Sequence, residues 1–249
     1  MPPVLYHVPR TISSPLVQLV LELDLIDKRE IVVQEMTFAE LKSPEHLAIN
    51  IMGTSPAFKC NHNGLCMWES GAILDFLLER HDTQCQFHPP PVPGDASVSK
   101  ADLQRRTKFL QLKQFILATV YPFLSSMYIY TLQGGALDDE YMTAAKKKCH
   151  ACMGPALADA LGDGPYFLGS QISAIDFLAA KPLGNADSMG LLSDFPQLKE
   201  LLERVRARPT YRPAYESLSV GTNQQLEQAP APHPDTQELV LVPKPRNED

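Results

Sequence analysis

The chain opens with a short apolar run, Val4 to Val8, which Pro9 stops, and this predicts a first strand. Arg10 to Ser14 is polar. Ser14 then stands as a cap before Pro15, a residue well tolerated at the first helical position. Leu16, Val17, Leu19, Val20, Leu21, Leu23 and Leu25 leave almost no polar face, so this helix should be buried. Ile31 to Val33 predicts a second strand, and the helix between the two makes a parallel βαβ unit the economical topology. Thr37 to Ile49 is weakly helical and interrupted by Pro44. Two apolar runs follow, Ala57 to Cys60 and Leu65 to Trp68, with Asn63-Gly64 between them. That pair predicts a hairpin whose two central residues take positive φ. Ser70 reads as the cap of a helix carried by Ala72, Ile73, Leu74, Phe76, Leu77 and Leu78 and ending near His81.

The pattern then breaks. His88-Pro89-Pro90-Pro91-Val92-Pro93-Gly94 cannot continue a helix and favours extended geometry, so 83–99 reads as a linker. From Lys100 the text turns helical. Leu103, Phe109, Leu110, Leu112, Phe115 and Ile116 form one apolar face, and Pro122 should kink or end that helix. A second helix fits Asp138 to Leu161. Ser173-Ala174-Ile175-Asp176 before Phe177 to Ala180 is a capping box, in which each side chain satisfies the other's end of the first turn. The chain therefore divides into 1–82 with strands and helices, an all-helical 100–218, and a proline-rich polar tail, 219–249, expected to be disordered. Glu238-Leu239-Val240-Leu241-Val242 is the one apolar piece of that tail.

Composition removes several function classes. A net charge of −7 argues against a nucleic-acid or anionic-membrane surface. No stretch of roughly 18 consecutive apolar residues offers a membrane span, and the first ten residues lack a secretory pattern. Five cysteines make an odd count without a dense framework, which fits a reducing, cytoplasmic setting. Cys149-His150-Ala151-Cys152 lies on a predicted helix and lacks a second ligand pair for zinc, so no metal is expected and two ordinary helix cysteines are the reading.

The ordered set Gly53-Thr54-Ser55-Pro56, hairpin, Glu69-Ser70 and downstream Ser173-x-x-Asp176 box resembles the cytosolic glutathione transferases. Phe195-Pro196-Gln197-Leu198 and Arg208-Pro209-Thr210-Tyr211 are similar to that family's closing helix, so the resemblance covers about Val4 to Glu216. It implies an α/β thioredoxin-like N-terminal domain of order βαβαββα, followed by an all-α C-terminal domain. It also implies a cis bond at Ser55–Pro56 and a homodimer in which the first domain of one chain meets the second of its partner. The implied activity is to activate the thiol of glutathione, the co-substrate, for addition to an apolar electrophile or for hydroperoxide reduction, a detoxification chemistry.

Glutathione binding needs an anion site, a main-chain partner and a donor at the sulfur. Ser70, at a helix start, offers a hydroxyl and N–H groups to the γ-glutamyl carboxylate, and Glu69 can take the ammonium. Taken alone, the two residues are also an ordinary helix start. Ser55, before Pro56, can pair its backbone with the cysteinyl part. A thiol of pKa about 8.5 needs a hydroxyl donor or a helix N-terminus to become a thiolate near neutrality. By resemblance that hydroxyl belongs to Ser13, placed as in theta-type enzymes, or Ser14, placed as in phi-type ones. Tyr6, at the strand end, is the sigma-type alternative. Plain capping also accounts for the serines. Phe115, Tyr121, Phe123, Tyr128 and Tyr130 are the expected lining for the second substrate.

Two positions depart from the family pattern. Val17 stands where many relatives carry arginine and Thr54 where a lysine is common, with Arg10 and Lys42 as candidate replacements for the lost charge. The departures, the linker and the tail suit a rival reading, a non-catalytic binding or assembly module like the translation elongation factor gamma subunit. Isomerisation of the zeta type shares the serine site.

Overall fold

The computed structural model of the chain describes residues 1–92 and 98–216. The expected tail, 219–249, and the centre of the expected linker lie outside them. The first domain has β1 (Val4–His7), α1 (Ser14–Glu22), β2 (Val32–Glu35), a 3-10 turn (Glu40–Lys42), a short α2 (Pro44–Leu47), β3 (Ala57–Lys59), β4 (Cys66–Trp68) and α3 (Ser70–His81). The sheet order is β2-β1-β3-β4; β1 and β2 are parallel and the other two pairs antiparallel. That is a small mixed thioredoxin-like sheet. Alternation along β1 turns Leu5 and His7 inward and leaves Val4 and Tyr6 on the other face.

Local capping differs from the sequence expectation in three places. The cap of α1 is Ser13, not Ser14, and neither hydroxyl caps the helix: Ser13 is engaged elsewhere and the buried Ser14 Oγ has no partner. The hairpin is not closed by a two-residue turn. Cys60 N–H donates to Leu65 O at 2.8 Å, and of the Asn63-Gly64 pair only Gly64 has positive φ, +70°. In α3 the cap is Glu69, at φ +81°, and Ser70 is the first helical residue. The α3 start therefore has unspent N–H groups, with a serine among them.

The second domain is helical. α4 (Lys100–Phe115) runs through a π turn (Ile116–Val120) into α5 (Tyr121–Leu132). Pro122 does not end the run: it stands at the second position of α5, directly after the π segment. The apolar face of α4 is also narrower than expected: Phe109, Leu112 and Ile116 are buried, whereas Leu103 and Leu110 are exposed. The run 100–132 is long and apolar enough to cross a bilayer by length and composition. Here Ile116, Val120, Leu124 and Met127 are buried in the core, and the run packs against α8. α6 (Glu140–Lys148) and α7 (Gly154–Leu161) are likewise joined by a π turn, Cys149–Met153, which buries Cys149 and exposes Cys152. The two cysteines do not share a face. His150 Nδ1 sits 3.1 Å from Asp194, and no metal-binding group of three occurs among the described residues.

α8 (Ala174–Ser188) is the axle of the molecule, buried along most of its length and packed on α1, α5 and α9 (Pro196–Arg206); α10 (Tyr211–Tyr215), the last element among the described residues, packs against α1. Its start is the expected capping box. The Asp176 carboxylate accepts from Ser173 N–H at 2.7 Å, Ser173 Oγ at 2.8 Å and Phe167 N–H at 2.9 Å. The expected linker is tied in as well: Asp82 accepts from Gln86 and Phe87 N–H and pairs with His88 Nδ1, each at 2.8 Å. Phe87 O then takes Ala174 N–H at 2.8 Å. So 82–89 is part of the packed fold, because a buried carboxylate gathers its backbone donors. Across the domain boundary, Arg208 grips Glu22 with two N–H groups, and Thr210 donates to the same carboxylate.

Candidate functional site

The cavity of interest, about 250 Å3, opens where four segments meet. The approach to β3 contributes Thr54, Ser55 and Pro56; the α3 start contributes Glu69, Ser70 and Gly71; Ile12, Leu117 and Tyr121 cover it from the β1–α1 loop and the long helix. The Ser55–Pro56 bond is cis. The approach is held from behind. Lys42 Nζ donates to Gly53 O at 2.9 Å, while His46 Nε2 and Asn50 Nδ2 reach Thr54 O at 3.1 and 2.9 Å. Gly53 has φ +58°, and a Cβ there would sit 2.9 Å from Leu41 O, so only glycine fits this turn. Ser55 Oγ takes Val8 N–H at 3.1 Å, which pins this segment to the end of β1.

Chemically, the arrangement suits an anion and sets an acid beside it. The first-turn N–H groups of α3 and the nearly buried Ser70 hydroxyl suit a carboxylate, helped by the positive end of a twelve-residue helix. Glu69 places a carboxylate at the edge for an ammonium. The positive φ at Glu69, rare for a residue with a side chain, is the kind of outlier that gathers at binding sites. Ser55, Pro56, Glu69 and Ser70, each expected from the sequence, are thus on one cavity wall. Thr54, read from the sequence as a missing cation, is there too. Val17 lines a different cavity with Leu21 and Val32, and Lys42 serves the backbone.

The expected sulfur donors are placed differently. Ser13 is fully buried. Its Oγ lies 2.7 Å from His7 Nδ1 and 2.8 Å from Thr11 Oγ1, accepts from Val8 N–H at 3.2 Å and donates to Val8 O at 3.1 Å. Neither Ser13 nor Ser14 lines the cavity. Tyr6 packs edge-on against His46, ring centroids 5.7 Å apart, next to Val8, Met36 and Leu41. Of the five expected aromatic residues, Tyr121 lines this cavity and Tyr128 an adjoining one; Phe115, Phe123 and Tyr130 line neither.

Tyr121 is the hydroxyl that the motif reading passed over. Burial holds it above the usual phenol range, while Ser125 and the backbone of Ile12 pull the other way. The phenol therefore keeps its proton at neutral pH. Behind Ser125 stands Asn185, its Nδ2 3.3 Å from Ser125 Oγ, and Lys181 Nζ donates to Asn185 Oδ1 at 2.7 Å. The i, i+4 spacing of Tyr121 and Ser125 was the sequence signal; α8 supplied the rest from afar.

His7 gives the loop a pH dependence. Burial lowers its pKa to about 4, so the folded state holds the neutral ring. Between pH 6.5 and about 4 the unfolded chain binds more protons, so this stability is complete above pH 6.5 and lost as pH falls. Compared with His7→Gln, the parent protein should lose about 2–3 kcal/mol between pH 7.5 and 4.5. Urea unfolding of both chains at the two pH values reads the difference directly. A gap that stays constant would mean that the ring takes up its proton in the fold as readily as in the unfolded chain.

The model of the glutathione S-transferase N-terminal domain matches residues 1–79, and that of the glutathione S-transferase C-terminal domain matches residues 121–212. Among curated relatives, the glutathione S-transferase-like protein gedE of Aspergillus terreus is 28% identical over 184 residues, covering 68% of this chain and 76% of that one. The similar protein tpcF of Aspergillus fumigatus is 27% identical over 219 residues, covering 79% and 88%. Among solved structures, a glutathione transferase homolog from Lodderomyces elongisporus, crystallised with two GSH per subunit, superposes with a TM-score of 0.69 at 18% identity, covering 87% of this chain and 98% of that one. At that identity the likeness concerns the fold.

Proposed function

We propose, on the premise that this chain belongs to the glutathione transferase family, that it binds glutathione in the cavity at the α3 start and transfers the sulfur to an electrophile. The observation that carries the reading is the convergence of Ser55, Pro56, Glu69 and Ser70 on one wall of a cavity roofed by Tyr121. The γ-glutamyl carboxylate goes to Ser70 and the α3 amides, the ammonium to Glu69, and the cysteinyl backbone to Ser55. Tyr121, kept protonated by burial, gives its hydrogen bond to the thiolate and lowers the thiol pKa. The sulfur pair then forms a C–S bond, the leaving group departs with the pair from the bond that breaks, and the thiol proton goes to solvent. Ser13 is a positioning residue behind this, fastening the 8–14 loop that carries Ile12.

Retention on immobilised glutathione and thioether formation with an aryl halide test the reading together. Tyr121→Phe should retain glutathione and lower kcat about 10–100-fold, with the pH–rate profile displaced upward. If Tyr121→Phe keeps its rate and Ser13→Ala or Ser14→Ala loses it, the donor is a serine. Folded protein that ignores millimolar glutathione sinks the reading altogether.

A second reading has its own support. The saturated hydroxyl of Ser13 lies outside the cavity, which suits a member that binds glutathione without turning it over. Retention without thioether formation would favour it. A homodimer belongs to either reading, since Ile51 and Met52 on the first domain and Leu103 and Leu110 on α4 are exposed apolar side chains. Sedimentation at the mass of one chain would remove it.

A further inference from the structure

Beside the first cavity lies another, of about 230 Å3, bounded by the β1–α1 loop, α5, α8, α9 and α10. Its charges are unbalanced. Arg10 and Lys181 both line it, and neither has a carboxylate partner among the described residues. Lys181 Nζ spends one hydrogen on Asn185 and lies 5.4 Å from the Tyr128 ring centroid. The other charged lining groups are already matched: Arg206 bonds Asp187 and Glu203 at 2.7 Å each, and Glu216 pairs with Arg212 at 3.2 Å. Burial and the charge of Arg10 lower the Lys181 pKa to about 8, as expected of two cations waiting for an anion.

A separate observation points the same way. Tyr215 lines this cavity, and its hydroxyl oxygen is buried without a hydrogen-bond partner. Such a group is costly to leave unpaired, and an acceptor on a ligand would recover it. Flat apolar walls complete the space. Tyr211 stacks on Tyr215 with ring centroids 4.1 Å apart, and Tyr128 faces them from α5. An apolar molecule would use the walls and leave both cations and the hydroxyl unanswered. A small inorganic anion would do the reverse. An aromatic ring bearing an oxyanion answers all of them.

The two cavities are neighbours. Arg10 and Ile12 stand two residues apart on one loop, and Ser125, one helical turn past Tyr121, joins through Asn185 to Lys181 in the second lining. We propose that this second cavity holds the acceptor of the sulfur and selects an aromatic oxyanion, a carboxylate or phenolate, through Arg10, Lys181 and Tyr215. This rests on the first cavity being the glutathione site. In the reaction the thiolate pair forms a bond to an electrophilic ring carbon, and the group on that carbon leaves with its own pair. The oxyanion is untouched.

The test uses 4-chloro-3,5-dinitrobenzoate and its methyl ester, which share ring, activation and chloride leaving group and differ by one charge. After subtraction of the uncatalysed rates, kcat/KM should favour the benzoate by roughly tenfold or more, as expected for a charge-assisted contact. Arg10→Met and Lys181→Met should each bring that ratio toward one. Equal use of both compounds, or a preference that survives both substitutions, overturns the proposal. A readout without turnover separates the two claims: calorimetry with 3,5-dinitrobenzoate, which carries no leaving group. Binding that weakens about tenfold in Arg10→Met and measurably in Tyr215→Phe keeps the anion site, even if glutathione proves not to bind. Turnover of aryl halides with no binding of the dinitrobenzoate keeps the glutathione site and rejects the anion site.

Discussion

Ser70→Asp should bind glutathione at least about 100-fold more weakly than the parent, while melting no lower. The two halves of that result come from one position acting on two things. Ser70 is the first residue of α3, and a carboxylate in the first turn of a helix is favourable by about 0.3–1 kcal/mol. The same carboxylate would stand where the γ-glutamyl carboxylate has to go. It removes a charge-bearing hydrogen bond of about 1.5–3 kcal/mol and adds repulsion between like charges a few ångströms apart. Titration calorimetry and thermal melting on one preparation read both. A variant that binds normally would move the anion site elsewhere, and a variant that melts lower would mean that the new side chain does not fit its nearly buried position.

Asp176→Ala should cost about 3–5 kcal/mol of folding stability at pH 7. The carboxylate gathers Phe167 N–H, Ser173 N–H and the Ser173 hydroxyl in the most buried part of the molecule. Alanine leaves these donors without an acceptor, and no water path is evident from a side chain with no exposure. Burial raises the Asp176 pKa to about 6, so the folded state binds more protons than the unfolded one between about 6 and 3.8. The parent therefore gains stability as pH falls through that window, and the deficit of the alanine variant should widen. Denaturant unfolding at pH 7 and pH 5 checks the sign. A deficit below about 1 kcal/mol would show that the first turn of α8 can reorganise without its cap.

The sequence carried the order of elements because periodicity reports burial, and burial decides which side of a strand or helix faces the core. Leu16 through Val20 and Phe177 through Ala180 are legible in that way. Caps and turns were less so. Ser14 against Ser13 and Ser70 against Glu69 are one-residue choices, made by φ angles that residue names do not carry. Ser13 reads as a sulfur donor by resemblance; its partner His7 lies on a strand, and only the fold turns that ring toward it. The linker looked free because proline denies it helix and strand. Asp82 holds its first residues, up to His88, largely through backbone donors, which leave no mark in composition. Arg10, Lys181 and Tyr215 come from three parts of the chain, and no spacing rule joins them.

The π turn at Ile116–Val120 has a consequence for how this site could have arisen. A π turn holds one residue more than the α-helical turn it replaces, and each residue in an α-helix advances the side chains by about 100°. Leu117 lies in that turn and Tyr121 follows it directly, and both face the cavity. Removing one residue there, Ala118 for example, would restore a regular helix and swing Tyr121, Ser125 and Tyr128 together to another side of it. One codon thus separates a helix that presents these hydroxyls to the site from one that presents them elsewhere.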